Sequence, residues 1–138
     1  MDTISRERRS TNMSRIRGRD TKPEMTVRQE AHQLGFRFRL HRRDLPGTPD
    51  LVFPSRHKVV FVHGCFWHRH EGCRFAYQPK SNVEFWNAKF DGNIARDMRV
   101  RQELTRTGWD VLTIWECETA DKRALARKLV DYLSHADS

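Results

Sequence analysis

The sequence predicts an α/β domain in which helices flank a mixed β-sheet. Its helical and strand-like segments follow the order α-β-β-β-α-β-α, which is typical of layered α/β domains. Residues 58–63 form an almost continuous apolar run, and such runs are typical of strands buried on both faces. This third strand is therefore expected at the centre of the sheet.

A first helix is predicted directly after Thr21. Thr21 and Glu24 have the spacing of a capping box, in which a hydroxyl and a carboxylate satisfy free N–H groups at the helix start. Gly35 is expected to end the helix. Its apolar candidates are Met25, Val27, Ala31 and Leu34. Residues 36–40 alternate apolar and basic side chains, which predicts a half-exposed strand.

The second and third strands are predicted at residues 50–53 and 58–63, after a loop over residues 42–48 that contains Pro and Gly. Strands joined by a short turn are expected to pair. Asp50, which opens one strand, and His63, which closes the other, should then lie at the same edge of the sheet.

The second half of the chain begins with a long irregular stretch, residues 64–82, rich in His, Cys and aromatic residues. Loops of this length are usually functional or held by a metal. Residues 83–107 have a helical pattern, for which we predict an interruption around residues 91–93. A strand over residues 109–115 and an amphipathic C-terminal helix follow. Four apolar residues mark that helix: Leu125, Leu129, Val130 and Leu133.

The charge balance favours a polyanionic partner. The 138 residues include 26 Lys and Arg against 18 Asp and Glu, and the formal net charge is +8. Basic side chains neutralise phosphates and release counterions, although a charged surface can also serve solubility alone. We interpret the arginine-rich residues 1–20 as a basic arm and residues 21–138 as a single domain.

The chain shows neither a signal-peptide pattern at its start nor an apolar stretch of about 20 residues, the length that spans a bilayer. We therefore expect a cytoplasmic protein with no membrane partner. Thiols in that compartment stay reduced, so the three cysteines are expected to be spare, catalytic or metal-bound.

The densest chemical cluster predicts a structural zinc site. Cys65, His70 and Cys73 can all reach one tetrahedral ion, and Cys117 completes the set if the last strand neighbours the third. Such a site would offset the entropy cost of ordering the long loop. The spacing also allows His68 as the ligand, and the alternative is three buried cysteines beside surface histidines.

Two carboxylates and two histidines are candidates for a catalytic site. Asp50, at a strand start, suits Mg²⁺, although it could simply form a turn. Glu24 could support the same site or act only as part of the helix cap. His63 and His68 could serve as acid or base near neutral pH. Their alternative roles are a structural hydrogen bond for His63 and zinc ligation for His68.

Phe66 and Trp67 are adjacent aromatic residues in a polar loop, so at least one of them is expected to be exposed. Exposed aromatic rings beside a basic surface suit stacking on bases or wedging into a base step. Phe85 and Trp86 repeat this pairing on a predicted helix, where core packing is an equally good explanation.

Over nearly its whole length, the chain resembles the very-short-patch-repair (Vsr) DNA mismatch endonucleases. The matching motifs are residues 13–24 (MSRIRGRDTKPE), 45–50 (LPGTPD), 61–70 (FVHGCFWHRH), 84–86 (EFW) and 108–117 (GWDVLTIWEC). The resemblance implies a restriction-endonuclease-like fold, so residues 21–138 would be its catalytic domain. It also implies an enzyme that nicks DNA 5′ of the thymine in T:G mispairs, which arise when 5-methylcytosine deaminates.

The resemblance also implies a metal chemistry. In the usual form of this fold a Pro-Asp pair is followed by an acid-x-Lys triplet, but here residues 61–63 are Phe-Val-His. Asp50 and the main-chain carbonyl of Val62 would then bind Mg²⁺, and Glu24 would support the metal-bound water. His63 and His68 would assist proton transfer or phosphate polarisation.

The remaining implied roles concern zinc and DNA. The zinc ligands by resemblance are Cys65, His70, Cys73 and Cys117. Residues Phe66, Trp67 and Trp86 would intercalate beside the mismatch from the major groove, and Met13 would enter from the minor groove. The expected partner is double-stranded DNA with a T:G mismatch, bound by a monomer that works with mismatch-repair proteins and a repair polymerase.

Two other functions remain open on the sequence. A restriction-type nuclease would cut matched sites, and a zinc-stabilised DNA-binding module would keep the charge and the aromatic residues without catalysis. Comparing the cutting of mismatched and matched DNA separates the restriction-type nuclease. A DNA-binding module would be identified by a function that depends on neither Mg²⁺ nor Asp50.

Overall fold

A computed structural model describes residues 21–134, which form three helices and a four-stranded sheet. The helices are α1 (Lys22–Gln33), α2 (Val83–Arg106) and α3 (Lys122–Ser134). The strands are β1 (Arg39–Leu40), β2 (Leu51–Phe53), β3 (Lys58–His63) and β4 (Asp110–Trp115). The predicted basic arm, residues 1–20 with Met13, lies outside the described residues.

The sheet is mixed, as the sequence predicts. Its strand order is β1-β2-β3-β4, with antiparallel pairing except between β3 and β4, which run parallel. β3 therefore lies between two neighbours, and its first four residues are buried. The buried ammonium of Lys58, at the start of β3, donates to the Tyr132 carbonyl at 2.6 Å, which places a positive charge at the C-terminal end of α3.

Helices cover both faces of the sheet. On one face, α1 and α3 pack apolar side chains against inward-facing strand residues. The buried members are Val27, Ala31, Leu51, Phe53, Val60, Ile114, Leu125, Leu129 and Leu133. On the other face, α2 contributes Leu104 to a smaller core with Val52, Val59 and Phe61. β2 and β3 supply residues to both cores, which explains their apolar character throughout.

The predicted strand over residues 36–40 is wrong in length, since only Arg39–Leu40 pairs with β2. Phe36 instead donates its N–H to the Ala31 carbonyl and closes the end of α1. β2 ends at Phe53 because Pro54 begins a 3₁₀ turn, so the residues before β1 have no regular partner strand.

The predicted interruption of α2 is also wrong, because this helix continues through residues 91–93. Gly92 costs roughly 1 kcal/mol relative to Ala in a helix, which packing at both ends of α2 outweighs. The Asn93 side chain donates to the Trp67 carbonyl at 3.1 Å and fixes this part of the helix to the long loop.

Three residues predicted on apolar helix faces are exposed: Met25, Leu34 and Val130. Each lies at the edge of its helix stripe, so the core contacts come from the neighbouring buried residues. None of the helices within residues 21–134 combines the length and the apolar character that crossing a membrane needs.

Candidate active site and metal centres

The start of β2 and the end of β3 meet at one edge of the sheet, as the pairing of these strands predicts. Asp50 immediately precedes β2, and its Oδ2 accepts the Val62 N–H at 2.7 Å. A cleft of about 410 Å³ opens beside this contact. Its lining includes His41, Thr48, Val62, His63, His68 and Asp97.

The Asp50 carboxyl lies close to a second buried acid, Glu24. Burial is the main cause that raises the pKa of Asp50 to about 8, and the negative charge of Glu24 adds to this effect. The Val62 N–H opposes it by favouring the charged form. Two acidic groups at a cleft, one of them 2% exposed, are a donor set that a hard cation fits.

Glu24 serves the helix cap and the cleft at the same time. Its backbone N–H donates to Thr21 Oγ1 at 3.3 Å, as a cap requires. Its carboxylate Oε2 accepts a hydrogen bond from the guanidinium of Arg28 and lies 3.0 Å from Nε2 of His41. The helix cap and the predicted metal role of Glu24 therefore use different atoms.

Two residues at this site were not predicted: His41, which lines the cleft, and Arg28, which contacts Glu24. Arg28 follows Glu24 by four residues, a spacing that brings side chains together on a helix and could have identified it. His41 lies just after β1 with a positive φ of 48°, and local sequence carries no signal for its position.

The imidazoles of His63 and His68 stack face to face at the cleft, with ring centroids 3.8 Å apart. Nδ1 of His68 lies 2.6 Å from Oδ2 of Asp97 on α2, another residue that the sequence reasoning missed. A proton on Nδ1 shared with this carboxylate leaves Nε2 as the free acceptor of a neutral ring. Asp97 follows the loop-anchoring Asn93 by one helical turn, and that polar spacing is the one available signal.

His63 has a lower pKa than an ordinary histidine. Burial, with a smaller contribution from His68, lowers the pKa of His63 to about 3, so its ring is neutral at physiological pH. Its Nδ1 is buried and has no hydrogen-bond partner within the described range 21–134. A neutral ring at the cleft can donate or accept a hydrogen bond without adding charge.

The four predicted zinc ligands converge. His70 Nδ1 lies 3.5 Å from Cys117 Sγ and 3.7 Å from Cys65 Sγ, and all four ligand atoms, including Cys73 Sγ, lie within 4.8 Å of one another. A tetrahedral zinc site with ordinary bond lengths has an S···N separation of about 3.5 Å. The cluster therefore could hold a metal ion.

Strand order explains this convergence. Cys117 follows β4, which runs parallel to β3, and Cys65 follows β3, so both thiols lie at the same end of the sheet. The Cys117 N–H donates to Cys65 Sγ at 3.4 Å. His70 joins the thiols, whereas His68 pairs with Asp97. Burial raises the pKa of the Cys65 thiol to about 12, so holding it as a thiolate would require a bound cation.

Arg69 stabilises the loop that carries His68 and His70. Its guanidinium donates to the carbonyls of Phe66, Ala76 and Tyr77 at 2.9–3.3 Å and lies 4.1 Å from the centroid of the Phe90 ring. These contacts satisfy carbonyls of an irregular segment that has no strand partner. Arg69 was not predicted, and its position between His68 and His70 is the only hint in the sequence.

The aromatic residues form one cluster. Phe66 packs against Trp67, Trp86 and Phe90 with centroid separations of 5.2–5.6 Å. Both Phe66 and Trp67 are half-buried, so the prediction that one of them is exposed is wrong, because α2 provides rings for both to pack on. Phe85 is 60% exposed, which rules out core packing for that residue.

Several known proteins are similar in sequence to this chain over most of its length. The family model described as DNA mismatch endonuclease Vsr matches residues 1–74. The type II nicking enzyme V.XorIIP of Xanthomonas oryzae pv. oryzae is 51% identical over 132 residues, which cover 96% of each chain. The DNA mismatch endonuclease Vsr of Escherichia coli strain K12 is 36% identical over 137 residues, covering 96% of this chain and 87% of that protein.

A third relative is the type II nicking enzyme V.NmeAIP of Neisseria meningitidis, 38% identical over 93% of this chain and 91% of its own. The likeness in sequence to named endonucleases and nicking enzymes, in a chain with an acid- and histidine-lined cleft, defines a DNA endonuclease, a hydrolase that acts on DNA. The chain belongs to the Vsr family of DNA mismatch endonucleases.

Proposed function

We propose that this endonuclease nicks one DNA strand 5′ of the thymine in a T:G mispair, by Mg²⁺-dependent hydrolysis. The observation that carries the proposal is the meeting of Asp50, Glu24 and the Val62 peptide beside the stacked His63 and His68. A preference for mispaired DNA is supported by likeness to the E. coli enzyme, which is named as a mismatch endonuclease. Single-strand cutting is supported by the nicking activity in the names of two other relatives.

Asp50 and the main-chain carbonyl of Val62 would hold the magnesium. In an extended strand the N–H and the C=O of one residue point to the same side. Because the Val62 N–H donates to Asp50, its carbonyl is expected on the Asp50 side as well. When bound, Mg²⁺ lowers the pKa of a water ligand and offsets charge on the attacked phosphate.

Three other side chains would complete the hydrolysis. Glu24 would orient the attacking water and accept its proton. Neutral His63 would donate a hydrogen bond to a phosphate oxygen without adding charge. His68, held by Asp97 and stabilised by that carboxylate when charged, would deliver a proton to the leaving 3′ oxygen as the P–O bond breaks.

The Cys65, His70, Cys73 and Cys117 cluster would hold one structural zinc. Its donor set of three thiols and one imidazole suits Zn²⁺ and leaves no position open for substrate. The zinc would fix the loop that carries His68 relative to β3 and β4. We assign it this structural role, and the catalytic cation to Asp50.

Recognition of the mispair would use the aromatic cluster. Phe66 and Trp67 of the loop pack with Trp86 of α2, and because all three are half-buried they would form a rigid edge that can enter a base step. A mismatch stacks poorly, so opening the step costs less there than in a matched duplex. The basic arm, residues 1–20, would hold the backbone, with Met13 entering the minor groove.

These roles fit a restriction-endonuclease-like core in a single catalytic domain, residues 21–138, that acts as a monomer. Because a nick leaves a 3′ hydroxyl at the damaged strand, a repair polymerase is the expected next enzyme, with mismatch-repair proteins as further partners. A sedimentation measurement that gives a dimer on a single T:G duplex would contradict the monomer.

The test is nicking of a T:G duplex by wild type and by Asp50→Asn, with and without Mg²⁺. Asp44→Asn is the matched control, since Asp44 is an exposed acid that pairs with Arg42. Wild type and Asp44→Asn should nick only with Mg²⁺, and Asp50→Asn should not nick. Full activity of Asp50→Asn would refute the metal role.

A further inference from the structure

A histidine at the cleft lies against both acids of the proposed active site, Glu24 and Asp50. Nε2 of His41 is 3.0 Å from Oε2 of Glu24 and 3.9 Å from Oδ1 of Asp50. The His41 side chain is 9% exposed and lines the cleft. Glu24, His41 and Asp50 each offer one ligand atom, and these three atoms lie within 4.8 Å of one another.

These separations match a six-coordinate ion. Ligands about 2.1 Å from such an ion are about 3.0 Å apart when adjacent and about 4.2 Å apart when opposite. The His41 to Glu24 separation equals the adjacent value, and the His41 to Asp50 separation lies between the two. Both separations from His41 therefore fall within the range that two ligands of one ion can have.

The positively charged Arg28 side chain already contacts Glu24 and His41. The guanidinium of Arg28 binds the Glu24 oxygen that faces His41, and one of its nitrogens lies 3.4 Å from His41 Nε2. The Glu24 oxygen thus accepts a cation in the protein as it stands. A metal ion would take over part of that contact.

We propose that His41 is a nitrogen ligand of the catalytic cation, so that the centre is a Glu–His–Asp site that prefers Mn²⁺ and Co²⁺ to Mg²⁺. The proposal rests on the proposed function, because both share Asp50. Imidazole nitrogen suits transition-metal ions, whereas Mg²⁺ prefers oxygen ligands and keeps its waters. Coordination through Nε2 requires that the ring proton be on Nδ1.

Metal binding to the zinc-loaded full chain without DNA tests this. Mn²⁺ is titrated by electron paramagnetic resonance, Mg²⁺ by competition, and pulsed resonance detects nitrogen bound to Mn²⁺. Wild type should bind Mn²⁺ at least about tenfold more tightly than Mg²⁺. His41→Gln should lose most of this preference and the nitrogen signal, while its Mg²⁺ affinity stays within about twofold.

Three further variants check the interpretation. His41→Asn suits the positive φ of 48° better than Gln and also removes the ring, so the two variants should agree. His57→Gln is the matched control, since His57 stacks on Trp109 at an exposed turn. This variant should change neither the metal affinities nor the nitrogen signal. His68→Asn should retain the nitrogen signal, which shows that the signal does not come from that ring.

The outcomes separate the two proposals. An unchanged Mn²⁺ to Mg²⁺ ratio in both His41 variants, with loss of binding in Asp50→Asn, overturns His41 as a ligand and leaves the Asp50 centre standing. Unchanged cation binding in Asp50→Asn overturns the centre itself. Circular dichroism and zinc content identify a variant that failed to fold, and absence of a nitrogen signal in wild type then overturns the inference alone.

Discussion

His63 and His68 stack with ring centroids 3.8 Å apart and planes inclined by 6°, although they belong to different parts of the chain. His63 ends a central strand, whereas His68 lies in an irregular loop whose position depends on Cys65 and His70. The two proposed catalytic histidines are therefore linked through the cluster of Cys65, His70, Cys73 and Cys117. A substitution in that cluster should therefore displace His68, although His68 itself is unchanged.

Asp97→Asn should slow nicking by roughly 100-fold, the scale of general acid–base catalysis, with little change in substrate binding. The amide preserves the contact to His68 Nδ1 but removes the charge that supports a protonated ring. Single-turnover rates across a pH series measure this, with Asp91→Asn on the same helix as control. An unchanged rate and pH profile would show that Asp97 is structural only.

Removing one metal ligand should loosen the loop. Wild type should contain one zinc per chain by metal analysis, and Cys73→Ala should lose affinity by more than the roughly 10–100-fold that outer-shell partners contribute. His32→Ala, at an exposed histidine of α1, is the control. A folded, fully active protein without zinc would contradict the structural role.

Asp50→Asn should stabilise the magnesium-free protein at high pH. Folding raises the pKa of Asp50 from 3.8 to about 8, so the contribution of its protonated form is complete below pH 3.8 and is lost as the pH rises through 8. Asn stays neutral and can still accept the Val62 N–H. We expect a gain of about 1–3 kcal/mol near pH 9, measured by denaturant unfolding.

The same comparison near pH 4 supplies the check on that prediction. There Asp50 is protonated in the folded chain, so Asp50→Asn should change stability little. A gain that is equal at both pH values would show that the charge of Asp50 is not the cause.

Two glycine substitutions should have opposite effects. A Cβ on Gly47, which has a φ of +73°, would lie 2.5 Å from Val100 Cγ1, so Gly47→Ala should cost about 1–3 kcal/mol and shift the loop that leads to Asp50. Gly92→Ala meets open space inside α2 and should add about 0.5–1 kcal/mol. Thermal unfolding of both variants measures this, and equal effects would contradict the packing of Gly47.

Local patterns predicted the elements that hold the site. The apolar run of β3 predicted its central place, and the Thr21 cap predicted the start of α1, because both depend on neighbouring residues. The meeting of Cys117 with Cys65 followed from one assumption about strand order, which the sheet confirms. The predictions of the length of β1 and of a break in α2 were wrong, because packing against residues distant in the sequence determines both features.

Other residues that line or contact the cleft could not be predicted in the same way. Asp97 and His41 reach the cleft through the packing of α2 on the sheet and the left-handed turn after β1. His41 leaves no local pattern, and Asp97 has only its one-turn spacing from Asn93, since each contact joins residues more than 15 positions apart. Arg28 had a clearer signal, its helical spacing from Glu24.

The most direct measurement is the single-turnover nicking rate on two duplexes that differ only in a T:G or a T:A pair, with Mg²⁺ and the strands labelled separately. We predict rapid cutting of one strand, immediately 5′ of the mispaired thymine, and at least about 100-fold slower cutting of the matched duplex. Equal rates on both duplexes, or cutting of both strands, would contradict a strand-specific mismatch endonuclease.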